Sequence, residues 1–302
     1  MRARRLLLLA VALVAVVATI PGCRPASMPE LDHVVVVVME NHSYDEILDA
    51  TSAPYIRSLA ASGATMTQSF ATGHPSEPNY LRLFSGSDQG VTDDSCPHTF
   101  DAANLGSELL TAGKTFIGYS EGLPSPGYAG CNSGRYARRH NPWVSFSNLP
   151  ASSNLPLDRF PTTYDSLPNV SFVVPDVCND MHDCSIATGD TWLRDHLGSF
   201  VEWARTHDSA LVLTFDEDDK SQSNRVPTVI VGDHVKAGAY SEHITHDDVL
   251  RTLEDLFGLP YAGASSTASP IVDIWEQLPS VDGAVNNRNI RNTTVRIGWN
   301  LR

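Results

Sequence analysis

Short runs of apolar, β-branched residues recur along the chain and are separated by polar segments. These runs are continuous rather than alternating, which is typical of strands buried on both faces of a parallel sheet. They occupy residues 34–38, 115–119, 170–174, 211–215 and 228–231. The pattern predicts a central sheet that is mostly parallel and covered on both sides.

Helical periodicity appears in the segments that connect or follow these runs. It predicts helices over residues 54–62, 80–84, 105–112, 191–205 and 247–257. The last of these ends in Gly258, with Pro260 two residues on, which is a common helix stop. Strands alternating with helices favour an α/β fold, a three-layer α/β/α sandwich with ligands at the carboxyl ends of the strands. Stretches rich in glycine, serine and proline at 121–134 and 147–168 predict long surface loops.

The N-terminus has the pattern of an export signal. Three arginines in the first five residues precede an apolar run over residues 6–20, which is short for a membrane-spanning helix. The following Ile-Pro-Gly-Cys at 20–23 resembles the lipobox of bacterial lipoproteins. We therefore predict a signal peptide over 1–22, a lipidated Cys23 that tethers the protein to a membrane, and one domain over 23–302. The alternative is ordinary secretion, with cleavage near residues 22–27.

Four further cysteines, an even number in an exported chain, predict two disulfides. They are Cys96, Cys131, Cys178 and Cys184. The short spacing favours Cys178–Cys184 and leaves Cys96–Cys131, although three pairings are formally open. A zinc cluster is a weaker interpretation because the chain has no CxxC pair.

The chain is strongly acidic. Its formal charge is −14, and removal of the three signal arginines changes it to −17. Such a protein repels nucleic acid and anionic lipid surfaces. Activity on a phosphate group would therefore require a locally positive site, most simply a bound cation.

Two of the predicted strands end in acidic or amide residues. Glu40 and Asn41 follow the first valine run, and the acidic run Asp216 to Asp219 follows residues 211–215. Because parallel strands gather their carboxyl ends, these oxygen ligands predict one divalent metal ion, with magnesium, calcium, manganese and zinc all open. The structural alternatives are a helix N-cap at Asn41 or Ser43 and a solvated acidic turn at 216–219.

Ser76 is the candidate nucleophile, since a serine hydroxyl beside a metal can be activated for attack on phosphorus. Pro75 and Pro78 stiffen its turn, and the amide of Asn79 can donate to a non-bridging phosphate oxygen. The structural alternative is a proline-bounded turn that begins the helix over 80–84.

Two of the eleven histidines lie in polar, loop-like segments. His140 follows two arginines, and His182 lies between Cys178 and Cys184. Either could contact phosphate or protonate a leaving alkoxide. His246 is ambiguous between a residue that begins a helix and a site residue.

Together these segments resemble the bacterial and fungal phosphoesterase family of acid phosphatases and phospholipases C, in the alkaline phosphatase superfamily. The matching segments are ENHSYDEI at 40–47, HPSEPNYLRLFSG at 74–86, RRHNPWVSF at 138–146, CNDMHDC at 178–184, TFDEDD at 214–219 and HDDVLRTLEDLFGL at 246–259. The resemblance implies an alkaline-phosphatase-like fold with a single-metal site.

In that family's arrangement the metal ligands would be Glu40, Asn41, Asp216 and Glu217, with Ser76 as nucleophile. His140 and His182 would contact phosphate or act as acid or base. Since the acidic run here is longer than the family pattern, Asp218 could replace Glu217.

The sequence thus predicts an exported, metal-dependent acid phosphatase that hydrolyses small phosphomonoesters through a phosphoseryl intermediate. The chain has no room for the extra C-terminal domains of the larger phospholipases C, which favours the compact acid phosphatase branch. One alternative is a phospholipase C or other phosphodiesterase. The other is a non-catalytic surface protein that binds phosphate or metal.

Overall fold

The computed structural model describes residues 28–49 and 51–276. Its strands are β1 (His33–Met39), β2 (Ala64–Phe70), β3 (Phe116–Ser120), β4 (Asn132–Ser133), β5 (Tyr136–Ala137), β6 (Asn154–Pro156), β7 (Val170–Val174), β8 (Ser209–Phe215), β9 (Thr228–Gly232) and β10 (Gly238–Thr245). Its α-helices are α1 (Tyr44–Leu48), α2 (Pro54–Ser62), α3 (Ser76–Ser85), α4 (Leu105–Thr111), α5 (Ile186–Ala204) and α6 (His246–Phe257).

Eight of the strands form one sheet in the order β10-β2-β9-β8-β1-β7-β3-β6. Within it only β9 runs against its neighbours, pairing antiparallel with β2 and β8. The prediction of a mostly parallel α/β sheet is therefore confirmed. β1 lies between β7 and β8, so that the carboxyl ends of β1 and β8 are adjacent.

The alternating side chains of β1 enter two separate cores, which makes the three layers explicit. Val34, Val36 and Val38 pack with side chains of α3, α4 and α6 on one face. Val35, Val37 and Met39 pack with side chains of α2 and α5 on the other. A strand buried on both faces needs apolar residues at every position, which explains the unbroken valine run.

Both disulfides favoured by the spacing are present, Cys96–Cys131 and Cys178–Cys184. Disulfides are characteristic of exported proteins. The predicted signal peptide and Cys23 lie outside the described residues. Within the described part of the chain, no helix is both long and apolar enough to cross a membrane.

Two buried carboxyl groups between α4 and α6 make stability depend on pH. Burial, with the nearby charge of Glu254, raises the pKa of Glu108 to about 9. Burial raises the pKa of Glu254 to about 8. Each group keeps its proton in the folded state at a pH where the unfolded chain has lost it. Since the unfolded state then binds fewer protons, the free energy of unfolding falls as the pH rises from the ordinary carboxyl pKa toward these raised values.

We expect Glu108→Gln to flatten this decline, because glutamine never ionises. Between about pH 5 and pH 8 the mutant should lose about 2 kcal/mol less stability than the wild type. Thermal unfolding across this range measures the effect. Glu202→Gln is the matched control, since that side chain is 77% exposed. Parallel pH profiles for Glu108→Gln and the wild type would contradict the prediction.

Candidate active site

The site lies where β1 and β8 end side by side. Met39 pairs with Phe215 in the parallel register, so the next residues, Glu40 and Asp216, are neighbours. The backbone N–H of Asn41 donates to Asp216 Oδ1 at 3.0 Å. Asn41 adopts a left-handed conformation, with φ of 58°, which asparagine tolerates better than most residues. The chain therefore turns sharply after Glu40 and leaves both carboxylates at the sheet edge.

Ser76 is brought to the same place by the start of α3. It is the first residue of the helix, is 3% exposed, and its hydroxyl donates to Glu40 Oε2 at 3.0 Å. Burial and the charge of Glu217 raise the pKa of Asp216, and the nearby Ser76 hydroxyl partly offsets this by favouring the ionised carboxyl. A helix N-terminus carries a partial positive charge, which stabilises an alkoxide or a bound anion there. The structure thus brings the predicted nucleophile together with two of the predicted ligands.

Tyr80 lies one helical turn after Ser76 and points at the same carboxylate. Its hydroxyl donates to Glu40 Oε1. Its ring stacks on His140, with centroids 5.3 Å apart and planes inclined by 7°. His140 is 1% exposed, and its Nε2 lies 3.3 Å from Glu40 Oε1. His140, predicted from the sequence, is therefore part of the site.

His182 lies at the edge of the site rather than inside it. Its ring centroid is 5.9 Å from that of His140, and its Nδ1 is 2.7 Å from Asp183 Oδ1. Its Nε2 lies 3.4 Å from a guanidinium nitrogen of Arg139. Its side chain is 32% exposed. His182 is thus placed to meet a ligand that enters from solvent.

Asn79 and Glu217 contact each other and the turn before Ser76. Asn79 Oδ1 accepts the backbone N–H groups of Thr72 and Gly73, and its Nδ2 donates to the carbonyls of Gly73 and Pro75. Nδ2 also donates to Glu217 Oε2 at 3.2 Å. Asn79 therefore holds the turn in shape, and its contact with a phosphate oxygen stays a prediction. The same is true of Glu217 as a ligand, since its other oxygen lies 3.1 Å from His74 Nδ1.

Asp218 and His246 have structural partners. The carboxylate of Asp218 accepts backbone N–H groups of Lys220, Gln222 and Asn224, which organises the loop after β8. His246 is buried, and its Nε2 is 2.9 Å from the carbonyl oxygen of Phe215. Burial lowers the pKa of His246 to about 4, so it is neutral near pH 7. It supports the end of β8 directly before Asp216.

The site holds more buried carboxyl groups than its own basic residues could neutralise. Burial raises the pKa of Glu40 well above its ordinary value, and the charges of Asp216 and Asp180 raise it further. Burial also raises the pKa of Asp216 and of Asp180 to about 8 each. Burial lowers the pKa of His140 well below its ordinary value. Among the described residues, His140 is the only basic side chain within ion-pair distance of these carboxylates, and it contacts Glu40 and Asp180.

This arrangement fits a divalent cation. Asp216 Oδ2 and His140 Nε2 are buried and have no hydrogen-bond partner among the described residues. Buried charges of one sign are stable only when paired or bound to metal. Ligand atoms of Glu40, His140 and Asp180 lie within 4.8 Å of one another and could hold an ion. Glu40 belongs to the predicted ligand set, whereas His140 and Asp180 were not predicted as ligands.

Sequence reasoning missed three residues of this site. Tyr80 follows Ser76 by one helical turn, and that spacing alone placed it on the same face. Asp180 lies in the same short disulfide loop as His182, where two polar residues in one constrained loop were the available signal. His74 lies in the turn before Ser76. Its contacts are with Glu217 and Asp218, which are far away in the sequence, so no local pattern could indicate them.

Comparison with known proteins gives one family and two kinds of relative. The model of the phosphoesterase family matches residues 46–260. A phosphatidylinositol-3-phosphatase of Mycobacterium tuberculosis is 52% identical over 257 residues, covering 84% of this chain and 86% of the relative. An acid phosphatase of Aspergillus fumigatus is 29% identical over 259 residues, covering 79% of this chain and 57% of the relative. The chain therefore spans little more than half of that fungal enzyme.

A solved structure supports the fold. A protein in the alkaline phosphatase superfamily from Vibrio parahaemolyticus superposes with a TM-score of 0.57, at 13% identity, covering 83% of this chain and 72% of the other. The expectation of an alkaline-phosphatase-like fold is thereby confirmed.

Proposed function

Since the chain belongs to the phosphoesterase family, we propose that it is an exported phosphatase that hydrolyses phosphomonoesters through a phosphoseryl intermediate. The observation that carries the proposal is the hydroxyl of Ser76. It is buried at a helix N-terminus and hydrogen-bonded to Glu40, in a site where two buried polar atoms have no hydrogen-bond partner among the residues that the structure describes. A purely structural serine would have no need of such surroundings.

Each residue has a part in this chemistry. Ser76 Oγ gives up its proton within the site and forms the bond to phosphorus, while the bond to the leaving oxygen breaks and the leaving oxygen takes up a proton. The N-terminus of α3 stabilises the negative charge on Ser76 Oγ and on the phosphoryl group. His140 and His182 contact the phosphoryl or leaving oxygens. Water then attacks the phosphoserine, which releases inorganic phosphate and restores the hydroxyl.

The residues that would hold the cation are Glu40 and Asp216, with Asn41 and Glu217 completing the predicted set. A bound divalent ion supplies positive charge that lowers the pKa of the serine hydroxyl and neutralises the phosphoryl oxygens. The oxygen-rich donor set leaves magnesium, calcium, manganese and zinc as candidates.

A phosphoinositide monoester is the second candidate substrate. The observation that favours it is the 52% identity, over 84% of this chain, with a phosphatidylinositol-3-phosphatase. The strong negative charge of the chain opposes binding to an anionic membrane. We therefore propose that such a lipid is hydrolysed better as a short-chain, soluble species than in a vesicle.

Three substrates separate these functions. We expect release of phosphate from p-nitrophenyl phosphate and from short-chain phosphatidylinositol 3-phosphate, with little hydrolysis of bis-p-nitrophenyl phosphate. Faster hydrolysis of the diester would assign the protein to the phosphodiesterases instead. Binding of phosphate or metal without hydrolysis of any of the three substrates would indicate a non-catalytic binding protein instead of an enzyme.

Export is part of the proposal. The signal-like residues 1–22 and the two disulfides support it. Lipidation at Cys23 would place the enzyme on the outer face of a membrane. Labelling of the expressed protein with a radioactive fatty acid, lost in Cys23→Ala, is the direct measurement.

A further inference from the structure

We infer that Asp180 is a positioning residue, which orients His140 toward the nucleophile and couples it to His182. The inference rests on the proposed function, and it assigns a role to a residue that the phosphatase chemistry does not itself require. Asp180 is fully buried in the loop closed by Cys178–Cys184.

The carboxylate of Asp180 serves both histidines at once. Its Oδ2 lies 3.1 Å from His140 Nδ1, and its Oδ1 accepts the backbone N–H of His182 at 2.8 Å. The backbone N–H of His182 on Oδ1 favours the ionised, accepting form of this carboxylate, and in that pairing Nδ1 of His140 carries the proton. The lone pair of Nε2 then faces the site. This is the arrangement in which a buried aspartate selects the tautomer of a histidine.

Other contacts hold the same imidazole in place. The ring of Tyr80 stacks on one face of His140, so the ring plane is fixed from the helix that carries Ser76. The carbonyl oxygen of Asp180 accepts the backbone N–H of Glu40 at 2.9 Å, which joins the disulfide loop to the end of β1. Within residues 28–49 and 51–276, Nε2 has no hydrogen-bond partner, and it lies 3.3 Å from the carboxylate that also binds the Ser76 hydroxyl. The free edge of His140 is thus aimed at the reacting centre.

Asp180→Asn is the informative substitution because it is nearly isosteric. Its Oδ1 can still accept the N–H of His182, whereas its NH₂ group faces Nδ1 and forces the proton to Nε2. We expect kcat/KM for p-nitrophenyl phosphate to fall about 100-fold or more. Asp176→Asn is the matched control, since Asp176 caps the start of the same loop through the N–H groups of Cys178 and Asn179. That control should retain wild-type activity within about threefold.

A double-mutant cycle with His140→Ala separates positioning from support of the loop. If Asp180 acts through His140, adding Asp180→Asn to His140→Ala changes the rate less than about threefold. The same loss in both backgrounds would overturn the inference. So would loss of bound metal in Asp180→Asn, measured by elemental analysis, because Asp180 would then be a ligand.

A measurement on the unmutated protein keeps the inference testable if Asp180→Asn does not fold. Nitrogen-15 NMR of the histidine rings distinguishes the two neutral tautomers. We expect His140, assigned with His140→Ala, to carry its proton on Nδ1, and a proton on Nε2 would overturn the inference. Hydrolysis by the wild type and its loss in Ser76→Ala test the proposed function separately, so either can fail without the other.

Discussion

Ser76→Ala is expected to lower kcat for p-nitrophenyl phosphate by roughly 10⁴-fold or more. The hydroxyl is the group that bonds to phosphorus, and no other described serine hydroxyl donates to Glu40. Loss of one buried oxygen should leave the fold intact, so the melting temperature should change by only a few degrees. Initial rates at saturating substrate, with thermal unfolding of the same preparation, measure both effects.

Ser85→Ala is the matched control for this result. Ser85 lies in the same helix, is 1% exposed, and its hydroxyl donates to the carbonyl oxygen of Leu81 rather than to a site residue. The control should keep wild-type activity. Equal activity of Ser76→Ala and Ser85→Ala would remove Ser76 from the role of nucleophile.

The intermediate itself gives a second readout. Wild-type enzyme quenched in acid during turnover should carry one phosphate on Ser76, because a phosphoserine ester survives acid whereas a phosphohistidine does not. Peptide mass spectrometry locates it. Phosphate found on His140 or His182 instead would replace the assigned nucleophile while leaving the enzyme a phosphatase.

The centre of the fold was predictable because buried parallel strands have a simple signature. All five predicted strands correspond to strands of the sheet, and each is a continuous apolar run. The strands of this sheet that were missed, β2, β6 and β10, lie at or near its edges, and β4 and β5, which form a separate two-stranded sheet, were also missed. The sequence of β10, Gly-Ala-Tyr-Ser-Glu-His-Ile-Thr, is largely polar, and most of its positions are not buried. Its pairing with β2 depends on tertiary contacts that no local pattern reports.

The site was predictable only as far as strand ends and turns determine it. Glu40 and Asp216 follow strands that pair in register, so their proximity followed from the fold. Which of the four consecutive acids at 216–219 would face the metal site did not follow from the fold. In the structure, Asp218 accepts backbone N–H groups of the loop that follows β8, and one carboxylate oxygen of Glu217 contacts His74. Such competition among side chains depends on distances of a few tenths of an ångström.

The cation site leads to the second large effect, because it gathers buried carboxyl groups whose ionisation destabilises the apoprotein. Asp216 is 1% exposed, and one of its oxygens has no hydrogen-bond partner in the described part of the chain. Its ionised form is disfavoured by burial and by Glu217, which raises its pKa to about 8. Replacing this carboxylate by a neutral group should therefore stabilise the metal-free protein and lower its affinity for a cation.

Asp216→Asn is accordingly expected to reduce activity by roughly 10³-fold while leaving the chelated protein at least as stable as the chelated wild type. Added Mg²⁺, Ca²⁺, Mn²⁺ or Zn²⁺ should raise the melting temperature of the wild type but not that of Asp216→Asn, since a ligand stabilises only the state that binds it. Asp219→Asn is the matched control from the same acidic run, because Asp219 is exposed and hydrogen-bonds to Ser221. It should respond to metal like the wild type. An equal rise in melting temperature for Asp216→Asn and Asp219→Asn would show that the ends of β1 and β8 do not hold the ion.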